Sequence, residues 1–252
     1  MERLNKVLAH SNIASRRKSE TLILEGRVKV NGLVVTDLGF KVDPKDTIEV
    51  DGHAIEPITP VYYLLNKPTG FVSTTSDEKG RKTVLDLLNL QDRKTRLYPV
   101  GRLDFDTAGL LLLTNDGDFT QKMTRPEHQI EKEYLVRVSG IVIRKKIVEL
   151  RKGIMIDDGF LAIPKAVHLL ELDKINKTTL LSVTLTEGKN KQVRKMMEAM
   201  GHPVKKLTRI RYDFLTLEGV ERGTYRPLKV HEVRKLVGHA HQKTAKPTAK
   251  TI

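Results

Sequence analysis

The first 60 residues alternate between helical and strand spacing of hydrophobic positions. Apolar residues recur at helical intervals over residues 4–8, and Ser15 is a good N-cap for a second helix of about ten residues. Apolar alternation then predicts short strands over 28–35, with an Asn-Gly turn between them, and over 47–50. The pattern predicts a small helix-and-strand domain over residues 1–60.

The rest of the chain mixes strands with a few helices. Short apolar runs predict strands over 62–65, 109–114, 134–138 and 181–185, and helical spacing predicts helices near 118–124, 143–151 and 190–200. Regular strand–helix alternation is missing, which favours an α+β fold over a doubly wound one. We expect a larger domain over 61–237 that combines a sheet with a few helices. Residues 238–252 are basic and polar, which predicts a disordered tail.

Charge narrows the possible partners. The 252 residues carry 45 Lys and Arg against 31 Asp and Glu, a formal net charge of +14. Residues 1–30 hold seven basic and three acidic side chains, and residues 189–252 hold sixteen and five. Two basic regions predict contacts with an extended polyanion. We expect this partner to be a nucleic acid rather than an anionic membrane. The alternative is that the charges only form solvated helix faces and a basic tail. No apolar run predicts a membrane span and the first residues resemble no secretory signal, so we expect a cytoplasmic protein.

The second predicted helix begins with three cations. Arg16, Arg17 and Lys18 occupy its first turn, where the helix dipole favours anions. A ligand that brings negative charge explains this placement, so these residues are predicted to contact phosphates. The full set of candidate nucleic-acid-binding residues is Arg3, Lys6, Ser15, Arg16, Arg17, Lys18 and Lys29.

The composition excludes several kinds of site, because the residues that they require are absent. The chain has no Cys, which excludes disulfides, thiolate zinc sites and a cysteine nucleophile, and the eight His show no metal-ligand spacing. Four carboxylates between residues 104 and 118 suggest a metal site, although a calcium loop starting at Asp104 would place Ala108 and Asn115 at ligand positions. A metal-dependent nuclease remains an alternative; its acids would be Asp104, Asp106, Asp116 and Asp118.

The most informative segment is the loop from Gly101 to Gly109, which precedes four consecutive leucines. On its own it could be an ordinary turn. Gly101-Arg102-Leu103-Asp104 with Thr107 and Gly109-Leu110-Leu111-Leu112-Leu113-Thr114-Asn115-Asp116-Gly117, however, resembles the signature of the pseudouridine synthases, most closely the RsuA/RluB group that modifies ribosomal RNA. Further matches are Asn66-Lys67-Pro68-x-Gly70, Lys132-x-Tyr134 and Gly188-Lys189-x-x-Gln192-Val193-Arg194-Lys195-Met196. The first 60 residues resemble the ribosomal-protein S-four RNA-binding domain, with its Ser15-Arg16-Arg17 core.

The resemblance implies the topology of the larger domain, a mostly antiparallel mixed sheet with flanking helices, which the periodicity permits. It also implies roles for five residues and requires neither a cofactor nor a metal. Asp104 is the expected nucleophile, and Tyr134 is expected to stack on a flipped-out uracil. Arg194 is expected to lie beside Asp104 and keep it ionised. Arg102 is expected to bind a flanking phosphate or orient the loop. Lys67 is expected to bind substrate by lining the pocket, or to make a backbone contact.

These implications predict an enzyme that isomerises uridine to pseudouridine in ribosomal RNA. Large-subunit RNA is the preferred substrate, because the segments 132–134 and 188–192 resemble the RluB side more closely. The alternatives are a small-subunit enzyme and a non-catalytic RNA-binding or ribosome-assembly protein. The expected partner is ribosomal RNA or an assembly precursor, with no membrane contact and a monomeric chain.

Overall fold

The computed structural model describes residues 1–56, 58–157 and 159–244. Its backbone divides into two compact units, each with its own core. The smaller unit comprises Met1–Val61, Gln91–Arg96 and Asn115–Gly117. Within the described ranges, no helix is long and apolar enough to cross a membrane.

The smaller unit contains two helices and short strands, as the sequence predicts. Its elements are β1 (Glu2–Arg3), α1 (Leu4–His10), α2 (Arg16–Leu24), β2 (Val28–Val30), β3 (Leu33–Val34), β4 (Lys41–Val42), β5 (Ile48–Val50) and β6 (His53–Ala54). Ser15 caps α2, because its hydroxyl accepts a hydrogen bond from the Lys18 backbone N–H at 3.2 Å. Leu4 and Leu8 of α1 and Ile23 of α2 are fully buried in a core with the strands.

The rest of the chain contributes most of the regular structure. Its elements are β7 (Tyr62–Lys67), β8 (Tyr98–Pro99), β9 (Thr107–Thr114), α3 (Gly117–Thr124), β10 (Lys132–Ser139), α4 (Arg144–Lys152), β11 (Ile154–Ile156), β12 (Phe160–Ala162), β13 (Ala166–Asp173), β14 (Thr178–Leu185), α5 (Gln192–Ala199), β15 (Val204–Tyr212), β16 (Leu215–Thr216), β17 (Tyr225–Pro227) and α6 (Val230–Thr244). The strands and helices predicted in this region are confirmed, with boundaries that differ by a few residues.

One mixed sheet organises the larger unit. Its strand order is β13-β14-β10-β15-β9-β7-β17, with β8 paired to β9 and β16 paired to β15. Among the residues described, β9 and β15 form the parallel pair and the other pairs in this sheet are antiparallel. The architecture is α+β, as the sequence pattern predicts, and its mostly antiparallel sheet is the topology that the resemblance implies.

Strand β9 lies deep in this sheet. All eight of its residues are buried, because the sheet is covered on both faces. At Gly109 the strand approaches β15 so closely that an added Cβ would lie 2.1 Å from the Arg209 carbonyl oxygen. The φ of Gly109 is +109°, which a side chain rarely permits. Glycine is therefore required where β9 leaves the loop that carries Asp104.

The predicted disordered tail over 238–252 is wrong for its first seven residues. Helix α6 continues to Thr244, and Leu236 and Ala240 on it are fully buried. Their separation of four residues places both on one face, together with the partly buried Val233 and Val237. This apolar stripe orders the helix despite its basic composition. The remaining tail residues, 245–252, lie outside the described residues.

Candidate active site

Asp104 lies on the loop that leads into β9, and neighbouring segments hold this loop through its backbone. The Ser73 hydroxyl donates to the Leu103 carbonyl at 2.8 Å and accepts from the Leu103 N–H at 3.1 Å. The Gly70 N–H donates to the Phe105 carbonyl at 2.8 Å. Within the described chain, the Asp104 carboxylate itself takes part in no hydrogen bond or ion pair. The backbone is fixed while the carboxylate is left available to a ligand.

Lys67 at the end of β7 also holds this loop. Its side chain is fully buried, and its ammonium donates to the carbonyls of Pro68 at 3.1 Å, Asp104 at 3.0 Å and Thr107 at 2.8 Å. Burial lowers the pKa of Lys67 to about 8, against an opposing effect of the nearby Asp104 and Asp106 carboxylates. Lys67 does not line the cavity described below. The backbone contact, rather than the expected substrate contact, is what the structure contains.

Arg194 on α5 reaches the loop at a different acid from the one expected. Its Nη2 forms an ion pair with Asp106 Oδ2 at 3.0 Å and donates to the Asp106 carbonyl at 3.2 Å and Thr107 Oγ1 at 3.4 Å. The expected pairing with Asp104 is therefore wrong. The guanidinium meets the loop at the peptide between residues 106 and 107, where Asp106 offers both its carbonyl and its carboxylate. Arg194 and Asp106 thus hold the end of the loop.

A cavity of about 270 Å³ opens beside this loop and contains both Asp104 and Tyr134. Arg102 is exposed at the same cavity and at an adjoining groove. Among the described residues, the lining carries one carboxylate, from Asp104, and five basic side chains. Such a charge balance suits a nucleotide with its phosphate. The basic side chains are Arg102, Lys132, Lys189, Lys191 and Arg209.

Tyr134 is buried in β10, with 8% of its surface exposed. It is paired with Val183 of β14 on one side and with Arg209 of β15 on the other. The β10–β15 register shifts between Glu133 and Tyr134, which marks a bulge. Bulges redirect side chains next to binding sites. This one lies where β10 and β15 contribute Tyr134 and Arg209 to the cavity.

Two buried residues of the cavity lining were not predicted from the sequence. Arg209 and Tyr212 both belong to β15, a strand that the hydrophobic pattern did not predict. Tyr212 donates its hydroxyl to the Met123 carbonyl at 2.6 Å, and burial raises its pKa. The available signal was the apolar Leu207, two positions before Arg209. Strand alternation places both on the same face, which makes Arg209 an inward-facing cation.

The candidate RNA-binding residues lie on the smaller unit. The exposed residues of this candidate set are Arg3, Arg16, Arg17, Lys18 and Lys29. The first turn of α2 contains no acidic residue, and in the part of the chain described, its three cations form no ion pair. Lys6 is paired with Glu2, and the Ser15 hydroxyl caps α2. The first turn of α2 is therefore the strongest phosphate-binding candidate in this set.

The acids proposed for a metal site do not form one cluster. Across residues 1–56, 58–157 and 159–244, no group of three or more His, Cys, Asp or Glu side chains is arranged to hold a metal ion. Asp104 lines the cavity, whereas Asp106 pairs with Arg194.

The fold and this site define an enzyme class that comparison with known proteins establishes. Residues 61–199 match the family described as RNA pseudouridylate synthase, and residues 2–48 match the S4 domain. The chain belongs to the RNA pseudouridine synthases.

Individual relatives agree with this assignment. The chain is 50% identical over 236 residues to "Ribosomal large subunit pseudouridine synthase B" of Bacillus subtilis (strain 168), covering 94% of this chain and 96% of that protein. It is 40% identical to the protein of the same name from Salmonella typhimurium (strain LT2), over 94% of this chain and 82% of that one. A solved structure described as a pseudouridylate synthase matches with a TM-score of 0.66 at 30% identity, covering 94% of this chain and 100% of the other.

Proposed function

We propose that this enzyme converts a specific uridine of large-subunit ribosomal RNA to pseudouridine, with Asp104 as the nucleophile. The observation that carries the proposal is the shared cavity, in which an unpaired carboxylate and a buried aromatic ring line the same space. The large subunit is named because both relatives described above carry it in their names.

The reaction suits a single carboxylate. The C1′–N1 bond of uridine breaks, the base turns, and a C1′–C5 bond forms. N1 gains a proton and the hydrogen on C5 is lost to solvent, with no change of oxidation state. Asp104 can attack covalently and later leave, or move a proton. The cavity can admit uracil only after the nucleotide leaves its stack, and the ring of Tyr134 offers it a stacking surface.

The test uses large-subunit RNA transcribed with tritium on C5 of uridine. The wild-type enzyme should release tritium from this RNA but not from small-subunit RNA, and primer extension after chemical marking of pseudouridine should locate one site. Asp104→Asn should lower the rate more than about 10³-fold, because nucleophile and base are lost together. Release from small-subunit RNA alone would contradict the substrate assignment, and no release from either would favour a non-catalytic RNA-binding protein.

Asp106→Asn is the matched control, because it removes a carboxylate two residues away on the same loop. Asp106 is 62% exposed, and its ion pair with Arg194 contributes less than about 1 kcal/mol in such a setting. The rate should therefore fall less than about tenfold. If Asp106→Asn abolishes activity and Asp104→Asn does not, the nucleophile assignment is wrong.

A further inference from the structure

Arg209 is a buried cation in the wall of the active-site cavity. Only 3% of its surface is exposed. Its Nε donates to the Leu110 carbonyl at 2.7 Å, and its guanidinium carbon lies 5.1 Å from the centre of the Tyr212 ring. These contacts hold the side chain in one place, and Arg209 is among the residues that line the cavity.

The guanidinium has more donors than the chain satisfies. Among the described residues, neither Nη1 nor Nη2 donates to a protein acceptor, Nη2 is shielded from solvent, and no carboxylate pairs with the group. A buried charge without a partner is strongly destabilising, and unused buried donors add to that cost. The group is always charged in proteins, so it cannot escape the cost by losing a proton. A ligand with oxygen acceptors would supply the missing partners.

The position of Arg209 indicates which acceptor it meets. Arg209 is the register partner of Tyr134 across β10 and β15, and Asp104 lines the same cavity. A base stacked on the Tyr134 ring and a ribose within reach of Asp104 would leave a carbonyl edge of the base for the remaining wall. The exposed Arg102, Lys189 and Lys191 are available to the phosphate, so Arg209 need not bind it.

We infer that Arg209 donates a hydrogen bond to O4 of the flipped-out uracil and thereby selects uracil over cytosine. Cytosine carries an amino donor at this position, which would face the guanidinium donors and leave both groups unsatisfied. The same contact assists the reaction. When the C1′–N1 bond breaks, its electron pair stays on the base and the charge spreads to the carbonyl oxygens, where a fixed cation stabilises it. The inference rests on the proposed action on uridine.

A substrate–enzyme double-mutant cycle tests this contact. The RNA fragment that carries the mapped uridine is prepared with uridine or 4-thiouridine at that position, since sulfur is a weak acceptor. With wild-type enzyme, the sulfur should lower kcat about tenfold. Arg209→Met should lower kcat about 100-fold on uridine with a smaller change in KM, and should show less than about threefold further loss on 4-thiouridine. Equal sulfur effects in both enzymes overturn the inference.

Controls separate this contact from folding and from phosphate binding. Arg211, on the same strand, is paired with Glu131 and Glu133 and does not line the cavity, so Arg211→Gln should keep the full sulfur effect. Arg209→Lys repeats the cycle if Arg209→Met does not fold, and it should also show a reduced sulfur effect. A change in KM alone would assign Arg209 to a phosphate and overturn the inference. Because wild-type turnover is measured first, its absence would count against the proposed function instead.

Discussion

At the scale of single residues, the buried ammonium of Lys67 is one of the groups that hold the loop carrying Asp104. A protonated ammonium has three donors, and all three carbonyls in reach accept one each. A neutral amine has two donors, so one carbonyl loses its partner when the proton leaves. With the pKa lowered to about 8 by burial, this loss occurs close to neutral pH.

Lys67 therefore predicts opposite pH effects on activity and on stability. Activity should fall on the alkaline side with an apparent pKa near 8, because the loop loosens. Between pH values of about 8 and 10.5, the ordinary pKa of lysine, Lys67 binds more protons in the unfolded chain than in the folded one. The contribution of Lys67 to the free energy of unfolding should therefore rise with pH in this range. Turnover and urea unfolding, each measured from about pH 7 to about pH 10, check both signs. Lys67→Met should lose this component of the pH dependence of stability, and an unchanged profile would contradict the assignment.

At the scale of elements, the parallel contact between β9 and β15 connects the loop that carries Asp104 to Arg209. Gly109 permits this contact, because a side chain at position 109 would overlap the Arg209 backbone. The Asp104 loop and the cavity wall that contains Arg209 are thus joined through one pair of strands.

Gly109→Ala should destabilise the larger unit by about 3 kcal/mol or more, from overpacking together with strain at positive φ. For a unit of this size, that loss corresponds to a fall of about 10 °C in Tm. Thermal unfolding followed by circular dichroism measures it. Gly238→Ala is the matched control: an added Cβ meets nothing within 4 Å in α6, so Tm should stay level or rise. Equal shifts in the two variants would refute the role of the close contact.

The elements also show what could be read from sequence. Helix α2 and strand β9 were predictable because a cap, an apolar run and turn residues agree locally. The position of Asp104 followed from its motif. The partner of Arg194 could not be predicted from the sequence. Asp104 and Asp106 lie on the same loop, and the packing of α5 decides which of them Arg194 contacts. Strand β15 was missed because its cations obscure the alternation, and α6 because a basic composition hid its apolar stripe.

At the scale of the whole molecule, positive charge is placed on both units. The smaller unit presents unpaired cations at the start of α2, and the larger unit presents basic side chains around its cavity. Phosphate contacts away from the cavity can offset the few kcal/mol needed to unstack a nucleotide. The proposed function therefore places RNA affinity and catalysis on different surfaces.

Neutralising Arg16, Arg17 and Lys18 to Gln should weaken RNA binding and lower the slope of log affinity against log salt by about 2. Turnover at saturating RNA should change little, because these residues belong to the smaller unit and not to the cavity. Filter binding across a salt series measures the slope.

A second triple variant, in α4, controls for net charge. It replaces Arg144, Lys145 and Lys152, which are also exposed, by Gln. It should leave the slope unchanged if the first turn of α2 makes the phosphate contacts. An identical reduction in both triple variants would mean that net charge alone matters.

The way in which the nucleophile loop is held has a consequence for its capacity to evolve. The loop is held by hydrogen bonds from Ser73, Gly70 and Lys67 to its backbone groups. None of these hydrogen bonds uses the side chain of Phe105. Phe105 is 46% exposed and directly follows Asp104 in the chain. A different side chain at position 105 would therefore keep every one of these hydrogen bonds, which leaves this position open to variation among related enzymes.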